Sequence, residues 1–156
     1  MRLREIMHKK VETVSPRESA AVALERMRRA RVRHLVVQDG QNVVGVLSDR
    51  DLKGMGSLAQ VETVENVMSS PAVTCSPDLT LRKAANLLRG RALGCLPILE
   101  NGKIVGIVTT TDLLEMIGAG IERPVPKTRR WILKDRGPRR NPVAGRGRTE
   151  RMPAPR

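Results

Sequence analysis

The sequence predicts a mixed α/β fold in which two β-α-β-β-α repeats pack together and a basic, mostly irregular tail follows. The first observation is internal similarity: shifted by 61 residues, the chain matches itself without a gap, so that "HLVVQDGQNVVGVLSDRDL" (34–52) lies over "CLPILENGKIVGIVTTTDL" (95–113). The second is that each copy holds an apolar stripe of helical period and then two aliphatic runs around a tight turn. A single unit of about 50 residues would bury too little surface to be stable alone, so we expect the copies to share a core.

Each repeat begins with a short extended piece that ends at Ser15-Pro16 or Ser76-Pro77. Ser is a favoured N-cap and Pro suits the first helical position, which predicts helix starts there. Glu18 would complete a capping box with Ser15. Apolar residues then recur at i, i+3, i+4 and i+7, as on one face of an amphipathic helix: Ala20, Ala23, Leu24 and Met27, then Leu81, Ala84, Ala85 and Leu88.

A β-hairpin follows each helix. The aliphatic runs 35–37 and 43–47 flank "DGQN", and the runs 96–99 and 104–108 flank "ENGK". Asp-Gly and Asn-Gly between aliphatic runs are strong hairpin signals. A last helix is predicted to begin near Ser48 in the first copy and near Thr109 in the second, where it carries Leu113, Leu114 and Ile117.

These elements predict three segments: a first repeat over 1–56, a second over 57–122 and a tail over 123–156. The tail carries 12 Lys/Arg and 2 Asp/Glu, a net charge of +10 out of +13 for the chain. It is rich in Pro, Gly and Arg, and we expect it to be largely disordered except where Trp131 and its neighbours dock. Its charge is compatible with a nucleic acid partner and also with a merely solubilising role.

Composition and motif content limit the function classes that we expect. Cys75 and Cys95 form no disulfide framework or Cys-x-x-Cys metal pair, and they fit a reducing compartment. The first ten residues lack the apolar stretch of a signal peptide, and no apolar run approaches the ~20 residues that span a bilayer. The sequence shows no nucleophile–base pair, metal-ligand spacing or Gly-rich phosphate loop. We therefore expect a cytoplasmic protein with no membrane partner, no enzymatic activity and no required cofactor.

Both copies end on the pattern Gly-x-x-Ser/Thr-x-x-Asp, as "GVLSDRD" (45–51) and "GIVTTTD" (106–112). One interpretation is a helix cap, in which the hydroxyl residue and the Asp satisfy backbone N–H groups reciprocally. The other is a ligand site, because the first turn of a helix attracts anions and a carboxylate can accept two ribose hydroxyls. The two interpretations are compatible.

The repeat resembles the cystathionine-β-synthase domain, or CBS domain. The resemblance rests on Ile6-Met7 and Val67-Met68, the Ser-Pro pairs, the aliphatic hairpin and the closing motif, and it covers roughly residues 3–118. It implies two domains related by a pseudo-two-fold axis with two clefts between them, and often a homodimer. It also implies binding of AMP, ADP, ATP, S-adenosylmethionine or NAD, and regulation of an attached or associated enzyme or transporter.

The resemblance also implies roles for residues of the closing motifs. Asp51 and Asp112 would hold ribose hydroxyls, and Ser48 and Thr109 would contact the ribose or the phosphate. Pro97 matches a position where the family often has a Pro that lines the cleft, where it could touch the adenine; it could equally be an edge-strand Pro.

The phosphate of such a ligand requires cations. Arg33 and His34 match positions where the family often carries basic residues, and Arg50 is a further candidate; each could also be an ordinary exposed or packed side chain. The two clefts are not expected to be equivalent, because the second copy has no cation at the matching positions, which are Gly94, Cys95 and Thr111. Either both clefts take charge from the first repeat, or one binds a weakly charged ligand, or one is empty.

Three functions follow from these features. The first is a non-catalytic sensor of adenosine compounds, in which a ligand that contacts both repeats changes their relative angle and a partner detects the change. The second is a nucleic-acid-associated protein that uses the basic tail, with the two repeats as a dimerisation scaffold. The third is a scaffold with empty clefts.

Overall fold

The computed structural model describes residues 1–120, which contain both repeats; the predictions for 123–156 lie outside the described residues. The strands are β1 (Thr13–Val14), β2 (His34–Asp39), β3 (Asn42–Ser48), β4 (Cys95–Glu100) and β5 (Lys103–Thr109), and the helices are α1 (Ala20–Ala30), α2 (Val64–Val67), α3 (Leu81–Gly90) and α4 (Thr110–Gly118). The three-stranded sheet of the first repeat has the order β1-β2-β3, with β1 parallel to β2 and β2 antiparallel to β3. The second repeat forms the antiparallel hairpin β4-β5, and a bridge from Cys75 to Ile98 replaces the edge strand.

The predicted mixed α/β fold is confirmed, and the apolar stripes lie where the periodicity places them. Ala20, Ala23 and Met27 are buried in a first aliphatic core, and Ala84 and Leu88 are buried in a second. We call these two cores, with the elements around them, lobe 1 and lobe 2. A third, smaller cluster contains Val36 and Val46 of the first repeat and Cys95 and Ile107 of the second, so the two hairpins share apolar contacts.

The prediction of helix starts at the two Ser-Pro pairs is wrong. Ser15 and Glu18 do bond reciprocally, since the Ser15 N–H donates to Glu18 Oε2 over 2.7 Å, but the bonds close a turn. Helix α1 begins only at Ala20, after the N-cap Ser19, whose Oγ accepts from the Val22 N–H. In the second repeat Thr80 is the corresponding N-cap of α3.

The delay has a long-range cause. Ser19 forms an antiparallel bridge with Thr63, and Thr80 forms the equivalent bridge with Arg2. The backbone that precedes each helix is therefore held extended by a segment of the other repeat. The bridges engage the carbonyls of Glu18 and Leu79, which accept from the N–H groups of Val64 and Leu3, so these residues cannot join the helix. The carbonyls of Ser19 and Thr80 remain free to accept the first bonds within each helix, which therefore starts immediately after the bridge.

The segments that lead into the two repeats, residues 1–8 and 62–69, are exchanged between the lobes. We call them the lead segments. Leu3, which is fully buried, and Met7 pack in the core of lobe 2, while Val64 and Met68 pack in lobe 1. The N–H groups of His8 and Ile107 each donate to the carbonyl of the other over 3.0 Å, and Ser69 pairs in the same way with Val46. Each lobe is therefore assembled from both repeats.

The exchange explains the glycine that opens each closing motif. A Cβ at Gly106 would lie 2.7 Å from Met7 Sδ, and a Cβ at Gly45 would lie 2.6 Å from Met68 Sδ, so each glycine leaves space for a methionine of the other repeat's lead segment. The Met and the Gly that both repeats have in common therefore contact each other, once in each lobe.

The prediction of a last helix near Ser48 is wrong, whereas α4 confirms the matching helix near Thr109. Residues 49–54 of the first repeat form successive turns, and a short 3₁₀ helix follows over Gly56–Gln60. Gly54 and Gly56 have φ angles of +81° and +51°, in the left-handed region that interrupts an α-helix. Their counterparts in α4 are Glu115 and Ile117, which favour the helix.

Candidate functional site

A cleft of about 990 Å³ lies where the two repeats meet. Its walls come from the ends of β3 and β5 and from the starts of β2 and β4. The segments 8–12 and 69–73, in which the chain returns from the opposite lobe to its own, contribute the rest. Seven of the eight predicted site residues line this one continuous cleft: Arg33, His34, Ser48, Arg50, Asp51, Thr109 and Asp112.

Ser48 and Asp51 form the reciprocal cap that the sequence predicts, although turns and not a helix follow it. Asp51 Oδ2 accepts from the Ser48 N–H over 2.7 Å and from the Ser48 hydroxyl over 2.9 Å, and the Asp51 N–H donates back to Ser48 Oγ. Only one carboxylate oxygen makes these bonds. Within residues 1–120, Oδ1 of the exposed Asp51 accepts no protein hydrogen bond, so it is available to a ligand.

Thr109 and Asp112 repeat the cap at the start of α4 with almost the same distances, 2.7 Å from the Thr109 N–H and 2.9 Å from its hydroxyl to Asp112 Oδ2. The difference lies at the other oxygen, because His8 Nε2 lies 2.8 Å from Asp112 Oδ1. His8 reaches this point because its lead segment pairs with β5. Both oxygens of Asp112 are therefore engaged, and its side chain is only 14% exposed.

All the Lys and Arg side chains that line the cleft belong to the first repeat: Lys9, Lys10, Arg31, Arg33 and Arg50. Arg33 is paired, since its Nε lies 3.2 Å from Asp49 Oδ2, and Lys10 lies 3.5 Å from Glu12. Lys9, Arg31 and Arg50 form no ion pair within 4.0 Å in the described part of the chain. The cleft thus has a basic side, built by the first repeat, with three cations that are free to meet an anion.

His34 lies against the second repeat at the back of the cleft. A Cβ at Gly94 would lie 2.5 Å from His34 Nε2, so the ring occupies the space that a side chain at Gly94 would need. Burial lowers the pKa of His34, and the neighbouring Asp49 offsets this effect only in part. Near neutral pH we therefore assign His34 as an uncharged hydrogen-bonding group that contributes no fixed positive charge.

Pro97 does not reach the cleft. It is fully buried in β4, where its carbonyl accepts from the Cys75 N–H over 3.1 Å, and it is absent from the cleft walls. A residue without solvent exposure cannot contact a ligand in this conformation, so Pro97 is removed from the candidate site. Its burial between β5 and the Cys75 bridge also means that it is not an exposed edge residue.

Sequence reasoning missed several cleft residues. Lys9, Lys10 and His8 lie in "IMHKK" (6–10), which the sequence pattern indicates only as the opening of the repeat. Asp49, the partner of Arg33, also escaped notice. The lysines could be predicted from the sequence, because their segment joins apolar residues to a strand and carries three consecutive basic side chains. The contact of His8 with Asp112 could not, because it depends on the exchange of the lead segments between the lobes.

Among residues 1–120 no group of three or more His, Cys, Asp and Glu side chains is arranged to hold a metal ion. Each helix in the same range is too short or too polar to cross a membrane. Both cysteines are free, and burial raises the pKa of the Cys95 thiol to about 12.

The sequence matches the CBS domain family over residues 3–55 and 64–119. It is similar to the CBS domain-containing protein YhcV of Bacillus subtilis, with 30% identity over 115 residues, 71% of this chain and 81% of that protein. It is also 30% identical over 118 residues to protein MK0525 of Methanopyrus kandleri, which covers 72% of this chain. The chain spans 60% of the length of the Methanopyrus protein.

Solved structures of CBS proteins have the same fold. The CBS domain pair of protein MJ0100, solved with 5'-methylthioadenosine and S-adenosyl-L-methionine, superposes with a TM-score of 0.68 at 23% identity, over 76% of this chain and 100% of that one. A hexameric CBS-CP12 protein from bloom-forming cyanobacteria superposes with a TM-score of 0.71 at 21% identity, over 81% of this chain and 77% of that one.

Proposed function

The chain belongs to the CBS domain family, and from that premise we propose that it is a non-catalytic regulatory module that binds an adenosine-containing ligand of the AMP, ADP or ATP class in the cleft. The observation that carries the proposal is the juxtaposition in one cleft of two capped carboxylates and three cations that have no ion-pair partner among residues 1–120. A carboxylate suits a ribose diol, and cations a short distance away suit phosphates. The complex of protein MJ0100 with methylthioadenosine and S-adenosylmethionine supports the adenosine part of the proposal.

Asp51 is the proposed ribose ligand at the first motif. Its Oδ1 is free, and its Oδ2 fixes the carboxylate by two bonds from Ser48, so the acceptor is oriented before a ligand arrives. A preorganised acceptor loses little conformational entropy on binding, which favours affinity. The Ser48 hydroxyl, which donates to Asp51, can still accept one bond from the ligand.

The unpaired cations favour phosphate-bearing ligands. Lys9, Arg31 and Arg50 would each lose part of their hydration in an occupied cleft, and an anionic ligand compensates for this loss. The sulfonium of S-adenosylmethionine would instead meet like charge. We therefore rank AMP, ADP and ATP above S-adenosylmethionine. NAD lies between them, because the positive charge of its nicotinamide ring offsets part of the charge of its two phosphates.

The two motifs are proposed to bind in order. Oδ1 of Asp112 already accepts one bond from His8, so it can accept only one hydroxyl of a ribose diol until His8 releases it, whereas Oδ1 of Asp51 needs no such change to accept both. A first ligand would occupy the Asp51 side, and binding at Asp112 would be weaker by about the value of one hydrogen bond, 0.5–1.5 kcal/mol. The cleft is thus proposed to take its positive charge from the first repeat at both motifs, because every Lys and Arg in its walls belongs to that repeat.

The signal to a partner would come from the exchange of lead segments. A ligand that contacts both lobes shifts their equilibrium by its differential affinity for the two arrangements. Because each lobe contains a segment of the other repeat, the lobes can move only by changing the paired segments that line the cleft. We also propose a homodimer, in which a second copy covers the apolar side chains Leu114 and Ile117 of α4, which are 62% and 52% exposed.

Calorimetric titration of the full chain with AMP, ADP, ATP, NAD and S-adenosylmethionine tests the proposal. At least one phosphate-bearing compound should bind, and its affinity should fall as the salt concentration rises, because free cations provide part of the attraction. Tighter binding of S-adenosylmethionine than of every nucleotide would contradict the electrostatic ranking. Absence of binding by all five compounds would contradict the function.

The alternative function rests on the tail, whose net charge of +10 over residues 123–156 matches a polyanion. Retention of the full chain and of residues 1–122 on single-stranded RNA and on duplex DNA, across a salt series, tests it. If the full chain is retained more strongly and loses the advantage at high salt, the tail binds nucleic acid. Equal retention would remove this alternative.

A further inference from the structure

A second cavity, of about 740 Å³, lies on lobe 1 outside the nucleotide cleft. It is formed between the C-terminal half of α1 and the turns over residues 49–59. Arg31, Arg33 and Asp49 line both cavities, so the Arg33–Asp49 ion pair stands in the wall between them. A cavity of this volume is in the range of small-molecule sites.

The cavity exists because the first repeat lacks a counterpart of α4. In lobe 2 that helix packs Leu113 into the core. In lobe 1 Leu52 occupies the matching buried position, but the chain after it turns away at Gly54 and Gly56. A Cβ at either glycine would meet no atom within 4 Å, so both glycines face open space. The flank of α1 that a helix would have covered is left as the cavity wall.

The cavity combines an apolar floor with a basic rim. Met27, Leu52 and Ala59, with exposed fractions of 3%, 5% and 7%, form part of the floor. Arg28 and Lys53 lie on the rim, and with Arg31 they make no ion pair within 4.0 Å in residues 1–120. The one acidic residue of the lining, Asp49, is already paired with Arg33. The rim is therefore positive above an uncharged floor.

We propose that this cavity is a binding site for a small amphipathic anion, with an apolar body on the floor and a carboxylate or phosphate head between the rim cations. The charge of the rim is what selects the occupant. A segment of the same chain such as "TRRWILKD" (128–135) is apolar in its centre but carries a net positive charge, so it does not complement the rim. A single acyl-type anion supplies the required combination of apolar area and one negative group.

Titration of the full chain with decanoate, followed by ¹H–¹⁵N NMR, tests the site, and decyl phosphate distinguishes the two head groups. The expected result is saturable shifts at Gly54, Gly56 and the C-terminal turn of α1, with no shifts at the lobe 2 hairpin turn. Decyltrimethylammonium, which has the same tail and the opposite charge, should bind at least ~10-fold more weakly. Shifts that do not saturate, that map to the nucleotide cleft, or that are equal for the cationic amphiphile would overturn the proposal.

Two matched double variants distinguish an effect of the rim cations from an effect of the protein's net charge. The double variant Arg28→Glu/Lys53→Glu should weaken decanoate binding about 10-fold or more, because two exposed cations are each reversed. The control is Arg89→Glu/Lys103→Glu in lobe 2, where Arg89 is the counterpart of Arg28 one repeat later and the total charge changes equally. Equal weakening in the two doubles would show a non-specific charge effect and would overturn the site.

Discussion

The substitution Gly106→Ala tests the exchange of lead segments. The new Cβ would lie 2.7 Å from Met7 Sδ, 2.9 Å from Met7 Cγ and 3.1 Å from the His8 carbonyl oxygen. These contacts are too short for a well-packed core, and overpacking of this kind costs about 1–3 kcal/mol. For a domain of this size each kcal/mol corresponds to about 3–5 °C in Tm. We expect a decrease of about 3–15 °C in thermal unfolding and a proportional decrease in the urea midpoint.

The second half of the test asks whether Met7→Ala reduces the loss of unfolding free energy that Gly106→Ala causes. The clash is mainly with a flexible side chain, so Gly106→Ala should cost at least ~1 kcal/mol less in the Met7→Ala background than in the wild type. Gly45→Ala is the informative comparison, because its Cβ would lie 2.8 Å from the Ser69 carbonyl oxygen as well as 2.6 Å from Met68 Sδ. A backbone atom cannot be removed by substitution, so Met68→Ala should restore less stability.

Gly90→Ala serves as the control, because a Cβ there would meet no atom within 4 Å and the residue ends α3. It should be neutral or slightly stabilising. Urea unfolding curves of the single and double variants give the coupling energy directly. If the costs of Gly106→Ala and Met7→Ala are additive, the two residues are not in contact, and the exchange of lead segments is refuted.

Three further predictions concern single interactions. His8→Ala should tighten the weaker nucleotide-binding event about 2–10-fold, since Asp112 Oδ1 no longer has to exchange one hydrogen bond; a loss of affinity would mean that the imidazole contacts the ligand. The Arg26 guanidinium lowers the pKa of Glu18, so the pair stabilises the fold above the unfolded pKa of about 4.3 and this contribution is lost as pH falls through the lower folded value. Urea midpoints of the Arg26→Ala variant should therefore fall less between pH 5 and pH 3 than those of the wild type, and equal slopes would count against the pair. Because burial raises the pKa of the Cys95 thiol to about 12, Ellman's reagent at pH 8 should modify it only after urea unfolds the protein.

The sequence predicts well those features that local chemistry determines. The hairpin turns lie where Asp39-Gly40 and Asn101-Gly102 place them, because positive φ angles of +61° at Gly40 and +76° at Gly102 are accessible to glycine at no steric cost. The closing motif likewise predicts both reciprocal caps, since their bonds join residues only three positions apart.

The features that the sequence does not predict depend on contacts between the repeats. The helix starts are delayed because Ser19 and Thr80 pair with the other repeat's lead segment, and no local pattern reports that pairing. The bond of His8 with Asp112 has the same origin. The missing helix of lobe 1 is a different kind of error, because Gly54 and Gly56 were visible and glycines at that spacing already argue against a helix.

Titration of ATP into the wild type and the Asp51→Asn variant tests the central claim, that an adenosine ligand binds through its ribose at the first motif. Asn can still accept from the Ser48 N–H and so preserves the cap, but it loses the charge-assisted bond to the ligand, which corresponds to about 1.5–3 kcal/mol, or roughly 10–150-fold in Kd. Asp39→Asn, at an exposed hairpin position outside the cleft, should leave the affinity unchanged. An unchanged Kd in Asp51→Asn, with urea unfolding like that of the wild type, would contradict the claim.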